Sequence, residues 1–376
     1  MAEVKQRLNF VDMVKGLAIL GVVGYHLLAP SPARTFLTHL CDALVIAFFF
    51  FSGYFYRPGK RTVIDSIKSR VTSLLGPFVH YSTVFWVIGT IYLVAMGLAS
   101  MFEALCCLRN FYGGCIWNRV IQGWFNWEYY KLGSRYPFLA DFWFLLAMFF
   151  ASVIFFPIAD RVLNSKGKTL GTSVVLIAVT AVLRYFDISL PYNLQIVPFW
   201  TAIMLLGAFA GHQKLFDIEG LSGSGAKEWI CALVALAGGI GLLMWKEPCP
   251  NLFRGTFAAE PQNEPMAAVL CVVACLLFIW GLGEVCKLIE LTGMRVQELS
   301  WLGSHSLIVY LYHMFFAWIV CIITGFSMKY EEPIAPEVLW GSVALTLGCL
   351  VLCILRDIIG EKLTKAWEQR KTAAQA

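Results

Sequence analysis

The sequence predicts an all-α integral membrane protein of about ten transmembrane helices, with both termini in the cytoplasm. Three observations support this fold class. Of the 376 residues, 59% are hydrophobic and only 14% are charged, whereas soluble domains carry about 25% charged residues. The apolar residues gather in ten windows, each long enough to cross about 30 Å of hydrocarbon. Lysine and arginine concentrate in every second connection between those windows.

The ten windows run along almost the whole chain. They predict a single membrane domain over residues 1–376, with a core of about 9–355 and a short cytoplasmic tail at 356–376. The windows lie at residues 10–29, 36–56, 74–98, 139–159, 169–186, 194–212, 228–245, 266–283, 306–326 and 337–355. Between the third and fourth windows, the aromatic segment 100–138 predicts a long non-cytoplasmic loop with an interfacial helix. A re-entrant element is the alternative for this segment.

The distribution of basic residues gives the orientation. With a cytoplasmic N-terminus, about two thirds of the 29 lysine and arginine residues fall on the cytoplasmic side, as the positive-inside rule requires. The formal net charge of +5 follows from this topology, so we expect no nucleic-acid partner. We therefore expect a multi-pass membrane protein, with the lipid bilayer as one of its partners.

The first window carries the most informative polar residues, which are Asp12, Lys15 and His26. An ionisable side chain inside hydrocarbon is costly, so it usually has a partner or a function. Eleven residues at about 100° each return to within roughly 20° of the starting direction, so Lys15 and His26 share one helix face about 16 Å apart. Asp12 lies three residues before Lys15 and joins the same face.

A carboxylate in the second window is a candidate partner for this histidine. If the two windows form a hairpin that turns near Arg34, His26 and Asp42 lie eight residues to either side of the turn and at one depth. A carboxylate beside an imidazole fixes its tautomer and stabilises its cation. The alternative is that Asp42 lies near the outer headgroups and only caps a helix.

Two further motifs follow the second window. The pair Ser52-Gly53 forms a small-residue notch, which suits either close helix packing or a ligand. The basic segment containing Lys68 and Arg70 satisfies the positive-inside rule, but it would equally suit an anionic cytosolic donor. Arginine presents a fork of donors to phosphate, and lysine presents a point charge.

The fourth and ninth windows contain the remaining candidates. Asp141 and Trp143 stand at the start of the fourth window, where an interfacial aromatic belt would explain the tryptophan. Ser306, Tyr310 and His313 lie on one face of the ninth window, and an interhelical hydrogen-bond cluster is the alternative to a substrate-binding role. We expect no metal site, because no histidine pair at i, i+4 and no His-Glu motif accompanies them.

These motifs, taken together and in order, resemble the acyltransferase-3 family of membrane acyltransferases. They read Asp12-x-x-Lys15-Gly16…His26, Phe48-Phe49-x-x-Ser52-Gly53-Tyr54, a basic run before Pro77-Phe78, Phe142-Trp143-Phe144-Leu145, Pro198-Phe199…Leu206-Gly207, and Leu302-Gly303…Ser306…Tyr310-Leu-x-His313. The Lys-Gly form and the Ser-Gly-Tyr tail are most similar to the fucose-4-O-acetylase-like branch of polysaccharide O-acetyltransferases. The resemblance implies ten helices and the transfer of an acyl group, usually acetyl, from cytosolic acyl-CoA to a sugar hydroxyl.

The chain departs from the family pattern at three positions. His26 matches the essential histidine of the family, but Lys15 stands where many members have arginine. Arg70 matches the first arginine of an Arg-x-x-Arg motif, whose second arginine is replaced by Ser73. Leu44 stands where members of the sugar branch often have histidine.

The resemblance and the residues together define the expected site. We expect His26 and Asp42 to be catalytic. We expect acyl-CoA to be bound by Asp12, Lys15, Lys68 and Arg70. The residues expected to line the acceptor site or a tunnel are Ser52, Asp141, Trp143, Ser306, Tyr310 and His313.

No cofactor is expected to be bound permanently, and acetyl-CoA or another acyl-CoA is the expected donor substrate. The expected acceptor is a sugar of a surface polysaccharide or a lipid-linked glycan at the inner membrane of a bacterium. The alternative function is a proton-coupled small-molecule transporter, since intramembrane histidine and aspartate also serve proton relays. Transporters often consist of two related halves with paired broken helices, and the sequence shows no such symmetry.

Overall fold

The computed structural model describes residues 9–112, 136–140, 142–186, 188, 190–216, 225–245, 265–294, 296–326 and 335–375. Within these ranges, every regular element is a helix, and ten helices are long and apolar enough to cross a membrane. The predicted fold class of an all-α protein with ten membrane helices is thereby confirmed. The cytoplasmic placement of both termini stays a prediction.

The described helices are numbered here in chain order. They are α1 (Asn9–Leu27), α2 (Pro32–Tyr54), α3 (Val63–Arg70), α4 (Gly76–Ala95), α5 (Met101–Tyr112), α6 (Pro137–Ala140), α7 (Trp143–Val162), α8 (Lys166–Tyr185), α9 (Val197–His212), α10 (Ala226–Trp245), α11 (Pro265–Leu291), α12 (Gln297–Ser304), α13 (Ser306–Thr324) and α14 (Pro336–Gln375). A π-helical turn, Val71–Leu75, joins α3 to α4, and a 3-10 turn, Pro191–Ile196, precedes α9.

Some boundaries differ from the apolar windows because a helix does not end where hydrocarbon does. The last helix, α14, continues as far as Gln375, so the tail expected at 356–376 is a helical extension of the tenth span. The helix α5 occupies the first part of the aromatic segment 100–138. Residues 113–135 of that segment lie outside the described residues, so the choice between an interfacial helix and a re-entrant element stays open.

The chain forms two compact units, and the boundary between them falls inside α2. The first unit comprises residues 1–38 and 296–376, and the second comprises residues 39–295. In the first unit, α1 and α12 cross with their backbones in contact. A Cβ atom on Gly303 would collide with the carbonyl oxygen of Asp12, and one on Gly16 would collide with that of Leu299. Glycine is therefore required on both helices at this crossing.

In the second unit, α2 and α9 are joined in the same way. A Cβ atom on Gly53 would collide with the carbonyl oxygen of Met204, and one on Gly207 would collide with that of Phe50. The small-residue notch predicted at Ser52-Gly53 is thus a packing contact on its glycine side. Aromatic rings fill the space beside it, where Phe49 and Trp200 stack with centroids 4.3 Å apart.

Candidate functional site

The helix α1 carries the predicted polar face without interruption. Because the helix runs from Asn9 to Leu27, Asp12, Lys15 and His26 belong to one regular element. Asp12 is buried, whereas Lys15 and His26 are half-buried. His26 lies in the last turn of α1, at the opposite end from Asp12. The geometry predicted for this face is therefore present in the structure.

The end of α1 that holds His26 is enclosed by protein. Leu27 and Ala29 are fully buried. The backbone N–H of Ala29 donates a buried hydrogen bond of 2.9 Å to Ser342 Oγ on α14. The connection that follows α1 thus has this backbone donor satisfied by another helix, as hydrocarbon requires. The imidazole therefore stands in a protein environment and not at a frayed terminus.

A second imidazole lies beside the first. The ring of His313, on α13, has its centroid 5.5 Å from that of His26, and the two planes are tilted by 50°. His313 is fully buried. Its Nδ1 atom lies 2.8 Å from the carbonyl oxygen of Tyr310 and 3.1 Å from that of Val309. The ring of Tyr25 also makes an edge contact with His26, with centroids 4.9 Å apart.

The sequence placed His313 on one helix face with Ser306 and Tyr310, and α13 contains all three. Ser306 and Tyr310 are half-buried, so only the histidine of this set is enclosed. The hydrogen bonds described for His313 run to its own helix, not between helices. The proximity of His313 to His26 had no signal in the sequence beyond the presence of both residues in apolar helices.

The predicted partnership of His26 with Asp42 rested on a turn near Arg34, and the turn lies elsewhere. The helices end and begin at Leu27 and Pro32, so Arg34 is already in the first turn of α2. The signal was present in the sequence, because serine followed by proline is typical of a helix start, and Ser31 Oγ accepts from the N–H of Arg34 at 3.2 Å. His26 and Asp42 are therefore not equally distant from the turn, and their pairing stays a prediction.

In the second unit, the structure joins two of the motifs. The Arg70 guanidinium donates through Nη2 to Ser52 Oγ at 3.0 Å, and its Cζ lies 6.0 Å from the centroid of the Phe156 ring. Arg70 is half-buried, whereas Lys68, in the same last turn of α3, is exposed. Ser52 therefore contributes a hydrogen bond in addition to the glycine packing of its neighbour.

An unpredicted pair lies next to this arginine. The Tyr56 hydroxyl donates to Asp160 Oδ1 at 2.6 Å, and the Tyr56 ring packs against Phe156 at 5.8 Å. Burial, together with the hydrogen bond and the charge of Asp160, raises the pKa of Tyr56 above its ordinary value. The phenol is therefore neutral and acts as a donor. We call Ser52, Tyr56, Arg70, Phe156 and Asp160 the Arg70 cluster.

The aromatic residues at the start of α7 contact those of α2 and α9. Trp143 is half-buried, and its ring centroid lies 6.3 Å from that of Trp200. Phe144 meets Phe49 edge-on at 5.4 Å. Trp143 thus belongs to an aromatic cluster inside the second unit. This favours a packing role for Trp143 over a position in an interfacial aromatic belt. The neighbouring candidate, Asp141, lies outside the described residues.

Another histidine, at the start of α13, makes polar contacts that the sequence did not predict. His305 Nε2 lies 3.3 Å from Asp357 Oδ2 on α14, and its Nδ1 lies 2.8 Å from the carbonyl oxygen of Trp301. The His305 ring also stacks on the Trp301 ring at 4.3 Å. These contacts tie α12, the start of α13 and α14 together.

The comparisons with known proteins agree with the motif order. No curated protein and no solved structure matches the chain. The acyltransferase-3 family, described as an acyltransferase domain, matches residues 8–355 and therefore nearly the whole chain. A match of this extent, on a chain whose described residues include ten membrane-type helices, establishes that the protein belongs to the acyltransferase-3 family and is a membrane acyltransferase.

Proposed function

We propose that the protein is an O-acetyltransferase that moves an acetyl group from cytosolic acetyl-CoA to a sugar hydroxyl of a surface polysaccharide or lipid-linked glycan. The observation that carries the proposal is the half-buried imidazole of His26 at the enclosed end of α1, beside a second imidazole 5.5 Å away. The family supplies the reaction class. The acetyl group and the sugar acceptor come from the resemblance of the motifs to the sugar-modifying branch.

The proposed reaction needs one base near neutral pH. His26 takes the proton of the acceptor hydroxyl as the oxygen attacks the thioester carbonyl, and neutral imidazole is suited to that step. The new C–O bond forms, the C–S bond breaks, and His26 returns the proton to the sulfur of CoA. A variant of this route has the imidazole itself carry the acetyl group between donor and acceptor.

The donor is an anion with a long uncharged arm, and the chain offers matching groups. Lys15 lies on the same face of α1 as His26, about 16 Å from it along the helix. That spacing suits a donor whose phosphates bind near Lys15 and whose thioester reaches His26. Asp12, one turn before Lys15, is suited to orient the ammonium group.

The second unit has its own candidate for phosphate recognition. The Arg70 guanidinium is fixed by Ser52 and by the face of Phe156, which leaves a pre-oriented fork of donors. A forked donor set matches phosphate geometry. The exposed Lys68 adds a second positive charge in the same helical turn.

The acceptor side is proposed from residue chemistry alone. Sugar rings stack on amphipathic aromatic side chains, which Trp143 offers in the second unit. The hydroxyl groups of Ser306 and Tyr310 in the first unit are suited to hydrogen bonds with sugar hydroxyls. Both are half-buried, as residues that line an access path would be.

The release of CoA tests the catalytic assignment. Membranes that contain the protein are supplied with acetyl-CoA and a glycan extract, and free thiol is measured over time. His26→Ala should abolish glycan-dependent release, whereas His80→Ala, at an exposed histidine of α4, should not alter it. Full turnover by His26→Ala, at equal protein abundance, would refute the assignment.

The acceptor is identified in a separate experiment. Surface glycans are isolated from cells with the intact protein and from cells that produce His26→Ala, and their masses are compared. The proposal predicts a mass difference of one acetyl group on the modified repeat. If the glycans from the two kinds of cell have identical masses although the intact protein releases CoA, a surface glycan is excluded as the acceptor. Other hydroxyl acceptors would then be tested.

A further inference from the structure

We infer that α5 is a re-entrant helix that turns back into the membrane beside α4, and that Tyr192 is a positioning residue that holds its inner end. From the sequence alone, an interfacial helix was the alternative to a re-entrant element in this aromatic segment. The placement of α5 stands on its own contacts, whereas the role of Tyr192 in the reaction rests on the proposed function.

The connection between α4 and α5 is a tight turn of five residues. Gly97 has a left-handed backbone with a φ of 66°, and the N–H of Leu98 donates to the carbonyl oxygen of Leu93 at 2.8 Å. Ser100 and Glu103 then begin α5 with reciprocal hydrogen bonds between side chain and backbone, which form a capping box. Short connections of this kind join antiparallel helices. The chain that leaves the membrane at the end of α4 therefore reverses its direction.

Contacts along the two helices run in opposite order. Near the start of α5, the carbonyl oxygen of Ala104 accepts from Trp86 Nε1 on α4 at 3.1 Å. At the end of α5, the ring of Phe111 stacks on that of Phe78, with centroids 5.5 Å apart. Phe78 lies 17 residues before Ala95, the last residue of α4, which is about 25 Å at 1.5 Å per residue. A helix lying flat on the membrane would meet only the last turn of α4, so α5 runs beside α4 within the thickness of its span.

The outer face of α5 has side chains that suit contact with lipid. Phe102 is 70% exposed and Leu105 is 51% exposed, whereas Cys106 and Cys107 are buried. Large apolar side chains with this exposure are unfavourable in water and favoured in hydrocarbon. The exposed Arg109 stands in the last turn of α5, where a cation interacts favourably with the negative end of the helix dipole. The helix thus packs against protein with one face and is suited to lipid on the other.

The inner end of α5 has polar partners, as hydrocarbon requires of a helix terminus. The Tyr192 hydroxyl donates to the carbonyl oxygen of Tyr112, the last residue of α5, at 2.7 Å. The Tyr112 hydroxyl lies 2.8 Å from Ser82 Oγ and 2.6 Å from Thr83 Oγ1, both on α4. Tyr192 thus bonds to the terminal backbone of α5, while the side chain of Tyr112 bonds to α4.

Tyr192 is held in a backbone conformation that tyrosine rarely adopts. Its φ is 57°, in the left-handed region that is unfavourable for a residue with a Cβ atom. Such strain persists only where the surrounding structure over-determines it, and it is often found at functional sites. Here the bond to Tyr112 holds the hydroxyl, and the ring of Phe150 lies 6.0 Å from the tyrosine ring. The strained backbone and the bonded hydroxyl together make Tyr192 a clamp on the end of α5.

The clamped end of α5 borders the start of α7. The ring centroid of Phe142 lies 6.4 Å from that of Phe111 and 6.1 Å from that of Phe78. Phe142 directly precedes Trp143, the side chain proposed to stack on the acceptor sugar. Tyr192 therefore acts on the acceptor side through α5 and Phe142. Loss of its hydroxyl should weaken the use of the acceptor more than that of the donor.

A depth measurement tests the re-entrant placement in the intact protein. A fluorescent non-canonical residue is introduced by codon suppression at Phe102 or at Arg109, and the protein is reconstituted into phosphatidylcholine vesicles brominated at one of two depths. Both positions are exposed, and they lie seven residues apart on one helix face, which is about 10 Å along the axis. We expect quenching to show depths that differ by most of this distance, with a probe at the exposed Leu98 as the shallow reference. Equal depths at Phe102 and Arg109 would overturn the inference.

Steady-state kinetics tests the role of Tyr192. Tyr192→Phe keeps the ring and removes only the hydroxyl. We expect the half-saturating amount of glycan extract to rise about three- to tenfold, as loss of one hydrogen bond does, whereas the KM for acetyl-CoA should change less than twofold. The control is Thr364→Ala, because the Thr364 hydroxyl is exposed and donates to a backbone carbonyl of its own helix, α14. It should alter neither constant.

The outcomes separate this inference from the proposed function. An unchanged requirement for glycan extract in Tyr192→Phe, or an equal rise in both constants, would overturn the positioning role of Tyr192. Full turnover by His26→Ala would instead overturn the proposed function and would leave the depth of α5 unaffected. If Tyr192→Phe fails to fold, the difference in depth between the probes at Phe102 and Arg109 still decides where α5 lies.

Discussion

Arg70 donates a hydrogen bond of 3.0 Å to Ser52, and this contact links the end of α3 to the end of α2. The sequence presented the two residues as separate motifs, one a small-residue notch and the other a basic loop. In the structure, the serine helps to aim the guanidinium, while the adjacent Gly53 packs against α9. Ser52 and Arg70 thus both belong to the Arg70 cluster, together with Tyr56.

The first prediction concerns donor affinity at this contact. Ser52→Ala removes the acceptor of the Arg70 hydrogen bond, so the guanidinium loses its fixed orientation. A hydrogen bond to a charged group contributes about 1.5–3 kcal/mol, so we expect the KM for acetyl-CoA to rise by about tenfold or more. The value of kcat should change little. Steady-state kinetics of CoA release measures both constants.

The control for this substitution is Thr72→Ala, because the Thr72 hydroxyl is exposed and donates to the backbone carbonyls of Lys68 and Ser69 in the preceding turn. It should leave the KM unchanged. A KM for Ser52→Ala equal to that of the wild type would show that the orientation of Arg70 is irrelevant to the donor. Arg70 would then be a structural cation.

The second prediction concerns Lys15. If its ammonium group binds the anionic donor, Lys15→Arg keeps the positive charge and should retain activity. Lys15→Glu reverses the charge and should raise the KM for acetyl-CoA at least tenfold, because a like charge repels the phosphates. The rise should weaken at high salt, since ionic screening reduces repulsion at an accessible site. An unchanged KM in Lys15→Glu would remove this residue from the donor site.

The third prediction concerns the crossing of α1 and α12. A methyl group at Gly303 would collide with the carbonyl oxygen of Asp12, and backbone atoms cannot yield without moving the helix. We expect Gly303→Ala to destabilise the protein by about 1–3 kcal/mol, as overpacking does. Thermal unfolding in detergent should show a lower Tm.

Gly348→Ala is the matched control for that measurement. Gly348 is also helical, within α14, but a Cβ atom there meets nothing within 4 Å. Alanine should be neutral or stabilising there by up to about 1 kcal/mol, because it restricts the unfolded chain. Equal Tm values for the two alanine variants would show that the close crossing is not required.

The fourth prediction concerns pH. The folded pKa of Tyr56 is raised, so its hydrogen bond to Asp160 contributes stability that is fully present below the unfolded pKa of about 10. That contribution is lost only as the pH rises through the higher folded pKa. We therefore expect Tyr56→Phe to lower the Tm by a constant amount between pH 6 and about 9, worth about 1 kcal/mol. A difference that vanishes near pH 7 would contradict the neutral phenol.

The ten helices were predictable because they depend on composition and length alone. Hydrocarbon thickness sets the minimum length of an apolar window, and each window satisfies its own backbone hydrogen bonds. The common face of Asp12, Lys15 and His26 was predictable for a similar reason, since the angle between residues of one helix is fixed. The start of α2 at Pro32 also had a local signal, because serine followed by proline is typical of a helix start. Our prediction of a turn near Arg34 overlooked that signal.

The contacts between distant segments were not predictable in this way. Tyr56 and Asp160 are 104 residues apart, and nothing local in either segment specifies the other. The meeting of His26 with His313 likewise depends on how α1 and α13 cross, and the direction of the His313 ring depends on two carbonyl oxygens of its own helix.

Composition, span length and motif order were enough to predict the membrane class, the number of spans and the acyltransferase family. Which polar side chains meet depends instead on how the helices cross, and at α1–α12 and α2–α9 that crossing needs glycines that let the backbones touch. A periodic apolar pattern specifies that a helix packs, but the partner and the angle depend on surfaces contributed by distant parts of the chain.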